Sequence, residues 1–96
     1  MRVIYSAAAQ EDLVEIGGYI ALDSERQAES FVASLQTKAS QIAKAPRIYR
    51  ARDDLSPGLR SAAFGSYLLL FREVSAGIEI LHIVHGARDL KRLFEE

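Results

Sequence analysis

Cysteine is absent from the 96 residues, which removes disulfides, thiolate metal sites and a cysteine nucleophile together and suits a reducing compartment. Tryptophan is missing too, and two prolines and six glycines leave no low-complexity tract. No apolar run is long enough for export or for crossing a membrane. Met1-Arg2-Val3-Ile4-Tyr5 leads straight into polar helix-forming sequence, so the expectation is a soluble, unprocessed, cytoplasmic chain without membrane contact. Charge of one sign is also scarce: the net value of −1 argues against a protein whose main task is gripping nucleic acid phosphate, and no direct sequence-specific nucleic-acid binding is expected.

What is present is core material. Hydrophobic residues make up 49%, enough to bury somewhat over ~60% of the unfolded surface in one domain spanning 1–96. The charge is unevenly spread. Residues 1–30 carry two positive and six negative charges, residues 31–72 seven and two, and residues 73–96 three and five. Much of the positive charge sits in Lys44, Arg47, Arg50, Arg52 and Arg60, bracketing Pro46 and Pro57-Gly58. A solvated loop and a binding patch both fit that cluster.

Periodicity supplies the elements. Residues 2–5 favour a strand before Ser6, a helix N-cap. Leu13, Ile16, Gly17 and Ile20 then mark one face of an amphipathic helix over residues 7–22, with Glu11, Asp12 and Glu15 on the polar side. Ser24-Glu25-Arg26-Gln27 fits a capping box, and Ala28, Phe31, Leu35, Ala39 and Ile42 form the stripe of a longer helix that Pro46 stops. The short link around Asp23 makes these an antiparallel hairpin. Three β-rich runs follow at 59–64, 67–72 and 78–85, joined by Gly65-Ser66, of the type II′ kind, and by Ser75-Ala76-Gly77. Strict alternation puts Ile78, Ile80, His82 and Val84 on one side of the last strand and Glu79, Leu81, Ile83 and His85 on the other, both largely apolar. That predicts a strand covered on both faces, by the helices and by the 88–94 segment or a partner. The fold class is α+β: N-terminal strand, antiparallel helix hairpin, three-stranded antiparallel meander completing one sheet, and a short C-terminal helical segment.

This layout resembles the RelE/ParE toxin superfamily across essentially the whole chain. The matching residues are Ala9-Gln10-Glu11-Asp12-Leu13, Ile16, Tyr19-Ile20, Ala45-Pro46, the 52–60 stretch ending Pro57-Gly58-Leu59-Arg60, Gly65-Ser66-Tyr67, Phe71-Arg72, Ile80 and Val84-His85-Gly86-Ala87-Arg88-Asp89. Pro57-Gly58-Leu59-Arg60 and His85-Gly86-Ala87-Arg88-Asp89 look specific for ParE-like plasmid-stabilisation toxins. Each has a structural reading beside it. Pro57-Gly58 is ordinary turn chemistry, Arg60 fits an exposed edge or a pair with Asp53 or Asp54, and His85-Gly86 fits a strand end.

Within the superfamily the chain looks more like the gyrase-poisoning ParE branch than the RNA-cutting RelE branch. An RNA-cutting site clusters Arg or Lys with a His or Tyr to move protons and stabilise phosphorane-like charge. The RNA-cutting members' middle strand resembles Tyr-Arg-Leu-Val-Tyr, and its Arg falls where this chain has Leu68. The resemblance thus implies a non-enzymatic toxin of a type II toxin-antitoxin module that inhibits DNA gyrase, needs no cofactor or metal, and is neutralised by a ParD-like antitoxin in a hetero-oligomer. The alternative is a RelE-type ribosome-dependent mRNA endoribonuclease, with Arg60, Arg72, His85 and Arg88 as its catalytic candidates. A third reading is a member that only binds an antitoxin. Target-binding candidates are Arg60, His85, Arg88, Asp89, Leu90 and Phe94, and antitoxin-binding candidates are Arg47, Arg50, Arg52 and Arg60. A metal pair of His82 and His85 is unexpected because they face opposite sides of a strand, and a Ser61, His85, Asp89 triad lacks a nucleophile elbow. Gly17-Gly18, inside a helix, and Gly65, in a turn, make no phosphate loop.

Overall fold

Ser6 sets the junction between the first strand and the first helix. In the computed structural model, which describes residues 1–86 and 89–94, its Oγ accepts from Ala9 N at 3.0 Å and donates to Leu81 O at 2.8 Å. The elements are β1 (Arg2–Tyr5), α1 (Ala7–Ala21), α2 (Glu25–Lys44), a 3-10 turn (Pro46–Ile48), β2 (Arg50–Ala51), β3 (Leu59–Phe64), β4 (Tyr67–Val74), β5 (Gly77–His85) and a second 3-10 segment (Leu90–Phe94). Ser24 caps α2 by accepting from Gln27 N at 3.2 Å, and Pro46, which lacks an N–H, stands just past its end. The two caps and the helix stop fall where the sequence places them. The two-residue β2 is an addition, too short to leave a period of its own.

One sheet of five strands has the order β1-β5-β4-β3-β2, parallel between β1 and β5 and antiparallel elsewhere. The pairing Phe64↔Tyr67 leaves Gly65-Ser66 as a two-residue hairpin, with Gly65 at φ 58, the first-position positive φ that a type II′ turn requires. In the next hairpin Val74 pairs with Gly77, so the turn is Ser75-Ala76 alone and Ala76 takes the left-handed conformation at φ 64. Gly77 belongs to β5 for a different reason. A Cβ there would lie 1.8 Å from Arg2 O, so only glycine lets β1 run beside the start of β5.

The strict alternation expected for β5 fails at one residue. Phe71 pairs with Ile80 but Leu70 pairs with His82, so Leu81 is the extra residue of a bulge and the facing pattern flips there. Ile78, Ile80 and Ile83 consequently share the helix side with Leu69, Phe71, Leu35, Ala39 and Ile42 in one buried cluster. On the opposite face Leu59, Leu70 and Val84 are buried beneath half-buried Leu55, Leu68, Leu81, Leu90, Leu93 and Phe94. The bulge also turns backbone groups toward α1. Leu81 O takes the Ser6 hydroxyl and Ile83 N donates to Asp12 Oδ2 at 2.8 Å. Asp12 is therefore turned toward the sheet rather than the solvent expected from its position on the polar side.

Candidate functional site

The basic segment 44–60 closes around one arginine. Arg60 lies on β3 opposite Phe71, on the helix side, and its Nη1 donates to Tyr49 O at 2.7 Å and to Arg47 O at 3.4 Å. A guanidinium suits the task because several fixed N–H donors can meet carbonyls that the turn leaves without strand partners. Tyr49 is the second anchor. Its ring meets Phe71 edge-on with centroids 5.9 Å apart, and Lys38 Nζ stands 5.2 Å from the ring centroid. Sequence reasoning did not single out Tyr49; its only signal was an aromatic side chain among arginines shortly after Pro46.

The remaining charges of this region form local pairs. Arg47 binds Glu73 at 3.0 Å and Arg52 grips Asp54 through two contacts of 3.1 Å. That hydrogen bond holds the Asp54 carboxyl below its ordinary range, and the Glu73 partner raises Arg47 above its own. Asp53 instead accepts from Gly58 N at 2.9 Å, inside a turn in which Leu59 N donates to Ser56 O and Gly58 has φ 80. Pro57 and Gly58 occupy the places a type II turn gives them. Arg60 thus pairs with neither Asp53 nor Asp54. Arg50, exposed on the edge strand β2 where its backbone pairs with Ser61, makes no side-chain hydrogen bond or salt bridge among the described residues, though its charge helps lower the Asp54 carboxyl.

The other candidates lie elsewhere. Arg72 is on the face away from the helices, bound to Glu79 at 2.8 Å. His85 ends β5 on the helix side, edge-on to Tyr67 with centroids 5.7 Å apart. Asp89 accepts from Lys91 N at 3.2 Å, while Leu90 and Phe94 pack with Leu93 over the opposite face. Phe94 meets the His82 ring edge-on at 5.8 Å, and His82 Nδ1 stands 3.8 Å from Asp12 Oδ2. Arg88 lies outside the described residues.

Arg60, Arg72 and His85 therefore stand apart from one another. Arg60 and Arg72 face opposite sides of the sheet, and the strand partners of Arg60 and His85 are four residues apart along β4, about 13 Å. Such an arrangement does not aim two guanidinium groups and an imidazole at one phosphate. What it offers is a fastened basic edge at β2, and an apolar face under a short C-terminal segment. Among the described residues no cluster of three or more His, Asp or Glu forms a metal site, and no helix is long and apolar enough to cross a membrane.

Comparison with known proteins agrees with this architecture. A solved structure described as the chromosomal ParDE TA system from P. aeruginosa superposes with a TM-score of 0.73 over 88% of this chain and 95% of that one, at 22% identity. Two proteins named Toxin ParE1, from Mycobacterium tuberculosis strains CDC 1551 / Oshkosh and ATCC 25618 / H37Rv, are each 35% identical over 94 residues, covering 95% of both chains. The family model for the ParE toxin of the type II toxin-antitoxin system parDE matches residues 3–90, nearly the whole sheet-and-hairpin unit described above, and the chain belongs to that family.

Proposed function

We propose that this ParE-family chain arrests growth by binding DNA gyrase and trapping its cleaved DNA complex, with no bond chemistry of its own, and that a ParD-like antitoxin neutralises it in a cytoplasmic hetero-oligomer that stabilises plasmids. The observation that carries the reading is the environment of Leu68. It stands on the face away from the helices, half-buried against the Leu59, Leu70 and Val84 cluster, where the resemblance puts the arginine of RNA-cutting members. Around Leu68 that face is aliphatic, and Leu90, Leu93 and Phe94 pack on the same cluster, which suits burial against a protein rather than stabilising a charged phosphorane.

Each group of candidates takes a role in that reading. Arg47 and Glu73 face solvent, as does the Asp54 carboxylate that Arg52 holds, so both pairs are weak and can be exchanged for carboxylates of an incoming acidic tail. Arg50 supplies an exposed charge that no salt bridge holds, close enough to Asp54 to help lower its carboxyl. Arg60 is a positioning residue that fastens the turn carrying Arg47 and Arg50. Contact with the target falls to His85, Arg88, Asp89, Leu90 and Phe94.

The test is DNA supercoiling by gyrase from the same host, run with purified protein. Supercoiling should stop, and added antitoxin should restore it. Unimpeded supercoiling at saturating protein, with gyrase active in the control, refutes the gyrase assignment.

A further inference from the structure

The outer side of α1 is built unlike an ordinary surface helix. Val14, Tyr19 and Leu22 are 75%, 72% and 83% exposed, although a helix on a soluble domain normally turns its apolar stripe inward. Positions 11, 14, 15, 18 and 22 fall on one outward stripe at helical spacing, so Val14 and Leu22 share one surface, with Tyr19 at its margin. Glu11 and Glu15 lie in that stripe, and no Lys or Arg occurs anywhere in residues 3–25. Gly18 sits between Val14 and Leu22 on the same side, and a Cβ added there meets nothing within 4 Å. A mid-helix glycine weakens a helix relative to alanine. The packing of this chain does not call for one at position 18. What it does is leave the stripe flat, so that another backbone can approach.

We propose that the outer face of α1 docks a basic amphipathic helix of a partner protein. The charge selects the occupant: an acidic segment of the kind suited to the Arg50 edge is repelled by Glu11 and Glu15, whereas lysines or arginines flanking a leucine stripe are attracted. A depression of about 490 Å³ lined by Ala7, Gln10, Glu11, Val14 and Glu15 receives an apolar anchor between the two carboxylates. The place is separate from the basic edge, because α1 packs on β1 and β5 while β2 is the strand at the other edge of the sheet. The chain can therefore hold an acidic segment at one edge and a basic helix at the other. This holds whether or not gyrase is the target.

The experiment titrates the full-length chain with two fluorescent 18-residue synthetic helices, one of Lys and Leu in amphipathic spacing and one with Glu for Lys, read by anisotropy. The Lys/Leu helix should bind and the Glu/Leu helix should not. Glu11→Lys with Glu15→Lys should weaken binding at least about tenfold, the loss of two favourable charge contacts and a gain of repulsion. Gly18→Gln should weaken it comparably by standing between Val14 and Leu22, while the melting temperature holds or rises because glutamine favours the helix. Arg47→Glu with Arg50→Glu should not weaken it. Equal binding to wild type and α1 variants overturns the proposal, as does binding of the Glu/Leu helix to this face. Sedimentation showing a dimer that Leu22→Glu dissolves also overturns it, since the occupant is then a second copy.

Discussion

The two faces of the sheet come from the same strands and differ in how firmly they are covered. On the helix side Leu35, Ala39, Ile42, Leu69, Phe71, Ile78 and Ile80 are wholly buried, closed over by a twenty-residue helix and a fifteen-residue one. On the other side the buried apolar cluster among the described residues is Leu59, Leu70 and Val84, and its cover includes a five-residue 3-10 segment whose own apolar residues stay half-exposed. The difference teaches where each kind of work belongs. Stability resides with the hairpin, and the face under Leu90, Leu93 and Phe94 is the one that can be uncovered at low cost for a partner.

The sharpest way to break this comparison is a pair of truncations measured by urea unfolding. Phe71→Ala should cost about 3–5 kcal/mol, whereas Leu93→Ala should cost about 1 kcal/mol, because a half-exposed side chain loses less on truncation. Equal costs would show that the two faces carry the fold alike. Arg60→Ala should fall between them, at about 1–2 kcal/mol, since it strands the carbonyls of Tyr49 and Arg47 at the margin of the helix side. Amide exchange should then quicken in residues 47–51 first. If it quickens in the helices instead, Arg60 holds more than the turn.

A smaller effect of opposite sign comes from the β4–β5 turn, which serves both faces. Ala76→Gly should stabilise by about 0.5–1 kcal/mol in the same unfolding experiment, by relieving the left-handed φ of 64. The smallest expected effect concerns Asp54, in the loop beside the thinner face. Its carboxyl is depressed by Arg52 in the folded chain, so the stabilisation is complete above the unfolded carboxylate value near ~3.9 and is lost as pH falls through the lower folded value. An NMR titration should find the Asp54 midpoint lowered from the ordinary carboxylate value, and Arg52→Gln should raise it.

Both helices, their serine caps and the three-strand meander were legible because each depends on neighbours in the sequence. Periods of 3.6 and 2, a cap three residues ahead and a Gly-Ser turn are local facts. The residues that escaped depend on contacts across the chain. Gly77 looked like turn punctuation, yet its reason is the backbone of Arg2, 75 positions earlier. The Leu81 bulge is invisible to alternation because Leu81, Ile83 and Val84 are all apolar, so a flip of face changes no polarity. Arg60 was read against nearby carboxylates, whereas its partners are backbone carbonyls, which no residue type announces. The candidate site was legible as a list of residues and not as an arrangement: which face Arg60, Arg72 and His85 occupy follows from register.

The central claim is that the chain acts by binding and not by cutting RNA, and the most direct measurement is mRNA integrity on translating ribosomes with the unmodified protein, at the concentration that stops gyrase supercoiling. The account predicts intact mRNA at that concentration. Ribosome-dependent cleavage that disappears in Arg60→Ala or His85→Ala, with the fold retained by circular dichroism, would contradict it and restore the ribonuclease.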